Sequence, residues 1–136
     1  MTGIDERFRE LEGNLKKSAR GALRSFGVRG LRVNILLVGK LRMQALNSEF
    51  RGKLCPTNVL AFPVPDDFPV PPNAFRPIGD VYLCPPYIEE HGESLEYMLV
   101  HGMLHLLGFK HESKSDRMKM EKREAQVIAF LRERSE

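Results

Sequence analysis

The sequence predicts one α+β domain over residues 1–136: a small mixed sheet of about three or four strands, covered by helices, with a central buried helix carrying a cluster of histidines. Three observations predict it. Short β-branched and aliphatic runs at 31–38, 57–62 and 79–83 have strand length and are closed off by Gly or Pro. Apolar residues at three- and four-residue steps mark a helix near each end of the chain. The segment 95–107 is apolar almost all round, as a helix at the centre of a core is, and 136 residues suit one sizeable core.

In chain order, Phe8, Leu11, Leu15, Ala22 and Phe26 fall at helical steps and predict an amphipathic helix over 5–26, weakened by Gly13 and Gly21. Its other face carries Arg7, Arg9, Lys16, Lys17, Arg20 and Arg24. Such a face is ordinarily solvated; direct RNA contact is the second reading. Residues 31–38 read as a strand buried on at least one face, ended by Gly39. Residues 41–50 read as a helix with Leu41, Ala45, Leu46 and Phe50 on its apolar side, delivering Arg51 just beyond its end. A strand over 57–62 follows. Residues 63–77 hold six prolines, which remove amide donors and fix backbone angles, and so read as a semi-rigid loop. A strand over 79–83 is terminated by Cys84-Pro85-Pro86. Ser94 starts the apolar helix, and residues 115–134 form a last amphipathic helix through Met118, Ala125, Ile128, Ala129 and Leu131.

Composition narrows the function. A hydrophobic fraction of 42% and a charged fraction of 29% are those of an ordinary globular protein. No run of about 18 apolar residues is present to span a membrane, and the N-terminal residues lack an apolar signal core; the expectation is a cytoplasmic protein with no membrane partner. Cys55 and Cys84 lack C-x-x-C spacing and are expected to be free thiols, a disulfide between them being the alternative. The net charge of +3 is uneven: residues 1–53 carry 12 Lys/Arg against 5 Asp/Glu, and residues 54–136 carry 9 against 13. A basic first half suits a phosphate backbone, and equally a solvated helix face.

The chemistry concentrates in His101-Gly102-Met103-Leu104-His105-Leu106-Leu107-Gly108-Phe109-Lys110-His111. His101 and His105 are one turn apart on one helix face. Gly108 can take the left-handed conformation that turns the chain back, so that His111 swings toward the other two. Three imidazoles with a fourth position left open are the ligand set of a catalytic zinc. Three of the chain's four histidines lie in these eleven residues; the fourth, His91, reads as a solvated loop residue. In H-E-x-x-H peptidases the residue after the first histidine is a glutamate base. Here it is Gly102, which argues against peptide hydrolysis.

This motif, with Met120 nine residues on and Glu124 four after that, resembles the signature of the YbeY family of metal-dependent single-strand endoribonucleases. Two further blocks agree. Residues 47–63, from Asn47-Ser48-Glu49-Phe50-Arg51 through Pro56-Thr57-Asn58-Val59-Leu60-Ala61-Phe62-Pro63, resemble its N-x-x-[YF]-R-x-x-x-x-P-T-D-V-L-S-F-P segment, and Gly79-Asp80-Val81-Tyr82-Leu83 resembles its G-D-I strand. The likeness covers roughly residues 31–130. It implies the same α+β arrangement, single-stranded and ribosomal RNA as substrate, ribosomal particles as partners, no DNA, and a place in small-subunit rRNA 3′-end maturation and ribosome quality control.

Through the resemblance Arg51 takes the position of the family's functional arginine, and Arg51, Lys53 and Lys110 become the expected substrate contacts. A phosphodiester suits a metal and an arginine, because its transition state gathers negative charge on non-bridging oxygens. Zinc on three neutral imidazoles lowers the pKa of water from 15.7 toward ~7, which makes the missing glutamate tolerable. The chain departs from the family at Asn58 and Lys110, both usually Asp. Loss of the second carboxylate removes a hydrogen-bond acceptor for a ligand imidazole; either metal affinity falls, or Lys110 points outward to phosphate. A non-catalytic zinc-stabilised RNA- or ribosome-binding protein is the alternative from another class, against which stands the lack of a fourth protein ligand.

Overall fold

The computed structural model describes residues 8–27, 29–65 and 67–134. The start of the helix expected over 5–26, including Arg7, lies outside them. From its N-terminus the chain runs α1 (Arg9–Ser25), β1 (Leu31–Leu37), α2 (Lys40–Arg51), β2 (Val59–Pro63), β3 (Arg76–Leu83), α3 (Pro85–Glu90), α4 (Leu95–Leu106) and α5 (Lys114–Arg134). This is the small α+β domain expected from sequence. The sheet has three strands in the order β1-β3-β2, with β3 parallel to β1 and antiparallel to β2.

Alternation along the strands divides two layers. Ile35, Leu37, Val81 and Leu83 turn into the main core with Leu15, Ala19 and Ala22 of α1, Leu99, Met103 and Leu104 of α4, and Met120, Val127 and Leu131 of α5. Leu60, Val38 and Cys84 meet Met43 of α2 on the other face. Among the described residues no helix is long and apolar enough to cross a membrane.

Four sequence readings change. The proline-rich loop is shorter, because β3 starts at Arg76 and takes in Pro77. A central strand accepts that proline because the register slips there: Arg32 pairs with Pro77 but Val33 with Gly79, leaving Ile78 as the extra residue of a bulge. Pro85 and Pro86 do end β3, yet they also begin α3, where a missing N–H costs nothing because first-turn amides have no intrahelical partner.

The buried side of α2 is Met43 and Asn47 with Leu46 beside them, whereas Leu41 is 85% exposed. On α5 the inward residues are Met120, Glu124, Val127 and Leu131, and Met118 is exposed. A charged residue on the buried stripe hid the true face from apolar periodicity.

Two glycines set close approaches. A Cβ on Gly21 would lie 2.4 Å from Leu131 Cδ2, so Gly21 lets α5 seat against α1. A Cβ on Gly102 would lie 2.8 Å from Val81 Cγ1 and 3.0 Å from Val59 Cγ2, so α4 rests on the sheet at that residue.

Candidate metal centre and RNA cleft

α4 begins at Ser94, whose hydroxyl accepts from the Tyr97 amide. Met98, Leu99, Val100, Gly102, Met103, Leu104 and Leu106 bury most of its circumference. His101 and His105 share the remaining strip and are partly exposed. The helix stops at Leu107, Gly108 takes φ +99, and the Phe109 amide bonds back to the Leu104 carbonyl. That reversal brings His111 round. One ring nitrogen of each histidine lies within 4.8 Å of those of the other two, and the ring centroids are 4.7 to 5.7 Å apart.

The rings are held from behind. His101 Nδ1 donates to Glu124 Oε2 at 2.5 Å, leaving Nε2 free to face His105 Nε2 at 3.2 Å. The Tyr97 hydroxyl donates to the other carboxylate oxygen at 2.6 Å. Glu124 is only 2% exposed. Burial alone would raise its pKa, but the hydrogen bonds from His101 and Tyr97 and the nearby imidazoles outweigh burial and lower it. Tyr97 is pushed up to about 12 by burial and by Glu124. His105 is lowered to about 4 by burial and by the charges of His101 and His111, against an opposing backbone hydrogen bond at Phe109.

A buried carboxylate that fixes one imidazole, a second imidazole held neutral, and two facing Nε2 atoms fit a cation better than they fit one another. Glu124 is the residue whose role sequence reasoning missed. It is part of the quoted signature, but its work shows only once α5 is seen to carry a carboxylate at the buried helical spacing. For His101 it is the acceptor that the missing carboxylate at position 110 raised as a question.

The histidines line a cleft of about 550 Å³ whose walls include Arg51, Thr57, Asn58, Ala61, Met98 and Lys110. Arg51 is the last residue of α2, and Gly52 at φ +71 turns the chain away behind it. Buried Asn47 braces this turn: its Nδ2 donates to the Cys55 main-chain carbonyl at 2.8 Å and its own main-chain carbonyl accepts from the Lys53 amide. Arg51 and Lys110 therefore share the cleft with His101, His105 and His111. Lys53 is exposed but is not part of its lining. Asn58 Nδ2 points to both carboxylate oxygens of Glu93 at 3.2 and 3.3 Å while its Oδ1 accepts from the Val59 amide. An aspartate there would face Glu93 as a like charge.

His91 accepts a place outside the site, stacked on Tyr87. Cys55 and Cys84 are both free thiols.

Fold and site together define a small α+β protein with an open three-histidine centre and a guanidinium on one cleft. The family described as Endoribonuclease YbeY matches residues 4–132. A protein named Endoribonuclease YbeY from Chelativorans sp. (strain BNC1) is 38% identical over 118 residues, covering 81% of this chain and 72% of the relative. One of the same name from Methylococcus capsulatus is 41% identical over 110 residues, covering 73% and 69%. The solution structure of TM1509 from Thermotoga maritima matches with a TM-score of 0.53 at 29% identity, covering 98% of this chain and 93% of that one. The chain belongs to the YbeY endoribonuclease family.

Proposed function

We propose that this protein is a zinc-dependent, single-strand-specific endoribonuclease of ribosomal RNA processing, working on RNA and not DNA, in the cytoplasm and on ribosomal particles. The observation that carries the reading is the cleft that joins three convergent imidazoles to Arg51. His101, His105 and His111 would hold the metal, and zinc suits an all-imidazole set. When bound, it supplies Lewis acidity that lowers the pKa of water and offsets phosphate charge.

The rest falls to the chain's own residues. Glu124 keeps the His101 proton on Nδ1 and so presents Nε2 as a lone pair. Arg51 offers paired N–H donors to two non-bridging oxygens, a geometry that lysine does not reproduce. Lys110 adds positive charge at the same mouth and serves to draw in the backbone of a single strand.

A peptidase reading finds no support at position 102, because Gly102 carries no carboxylate to act as base, and a Cβ there would already lie 2.8 Å from Val81 Cγ1 and 3.0 Å from Val59 Cγ2.

Single-turnover cleavage of a short unstructured RNA, with metal content measured in every sample, tests the proposal. Arg51→Ala should keep its metal and lose about 100- to 1000-fold in rate, by analogy with loss of one oxyanion-hole donor, with Arg51→Lys recovering part. His105→Ala should lose both metal and cleavage. Wild-type rates in Arg51→Ala, or full metal in His105→Ala, would refute the assignment.

A further inference from the structure

Phe50, immediately before the cleft arginine, leaves 57% of its surface in water. It is nonetheless braced. Its ring lies 4.9 Å from that of Phe62 at an interplanar angle of 58°, and Phe62 meets Tyr82 edge-on at 5.6 Å. The three rings sit on the α2 face of the sheet, where Phe62 and Tyr82 pack beside the smaller core. Ala61 and Pro63, on either side of Phe62, line the cleft. The aromatic group therefore stands across the rim of the edge strand β2 from the histidines, with Arg51 beside it.

We infer that Phe50 is a stacking platform for an unpaired nucleobase of the RNA whose phosphate Arg51 holds; the inference rests on the function proposed above. A nucleotide joins a charged phosphate to a flat apolar ring. Adjacent arginine and exposed phenylalanine side chains match that pair of chemistries. A base within a duplex has both faces covered by its neighbours, so only an unstacked base can use such a platform. Phe50 thereby selects single strands. Every base has a π-face, so the contact is tolerant of sequence.

The chain has no tryptophan, which makes Phe50→Trp a site-specific reporter. Rapid-mixing titration of the metal-loaded variant with short unstructured RNA, read before cleavage, should show saturable quenching of its fluorescence. Scanning an abasic nucleotide through the RNA should abolish the quenching at one position. Phe50→Ala should raise KM about 5- to 150-fold, the range of a lost base–aromatic stack, with kcat little changed. Phe50→Leu should behave like the alanine variant and Phe50→Tyr like wild type. A tryptophan unquenched while RNA binds normally, or full rescue by leucine, overturns the platform and leaves the nuclease reading intact. Wild-type protein that neither binds nor cuts RNA overturns the nuclease reading itself.

Discussion

At Glu124 one buried carboxylate serves two donors, His101 Nδ1 and the Tyr97 hydroxyl. Replacing it with glutamine keeps the shape and removes the charge. Glu124→Gln should therefore fold and yet bind zinc about 10- to 100-fold more weakly, measured by competition with a chromogenic chelator. Tyr97→Phe, which leaves the His101 contact in place, should change affinity far less. At Lys110 the expectation is electrostatic: Lys110→Ala should weaken RNA binding and flatten the slope of log K against log salt by about 0.7, one phosphate contact on a single strand. An unchanged slope would place its ammonium away from the backbone. These residues differ in how far they could be read from sequence. The three histidines are legible because their spacing is itself geometric. Glu124 is not, since its partner is 23 positions away and nothing local marks it as buried. Lys53 is the converse, close to Arg51 in sequence but beyond the Gly52 turn, so that it is not part of the cleft lining.

At the level of elements, strands and helices were legible where one side of the element is apolar and the other polar. Strand β1 was placed within a residue or two for that reason, and α4 for a different one, that a segment apolar almost all round is a helix at the centre of a core. Two helices show why apolar periodicity misses the facing residues. Each carries a polar residue on its buried stripe, Asn47 on α2 and Glu124 on α5. Pro85 and Pro86 punctuate a strand and open a helix at once, and sequence reasoning gave only the first meaning. The contact of α4 with the sheet yields a sharp expectation. Gly102→Ala places a methyl 2.8 Å from Val81 Cγ1 and 3.0 Å from Val59 Cγ2, so it should cost about 1–3 kcal/mol through overpacking, seen as a lowered unfolding midpoint. The paired change Gly102→Ala with Val81→Ala should recover part of that loss. An alanine variant as stable as wild type would mean that the helix lifts freely from the sheet.

For the whole molecule, the lowered pKa of His105 makes stability depend on pH when metal is withheld. His105 sits near a pKa of about 4 against an ordinary 6.5. As pH falls below about 6.5, the unfolded chain takes up a proton that the folded chain refuses until about 4, so the fold loses stability across that window. Glu124, lowered from 4.5, acts in the same direction at still lower pH. Thermal unfolding in chelator at pH 7, 6 and 5 should show a falling midpoint, less steep in His105→Asn; a midpoint that rose on acidification would contradict a neutral His105. The Glu124 bridge has a wider meaning. It ties α5 to His101 on α4, so an event at the cleft is felt along that helix. Because coupling between two equilibria is reciprocal, whatever tightens the cluster must also tighten the seating of α5. Zinc should then slow hydrogen–deuterium exchange of the amides around Met120 to Val127, far along the chain from His101, and the Glu124→Gln protein should lose most of that protection. On the proposed function, α5 would be a clasp, closed by the same ion that readies the cleft for RNA.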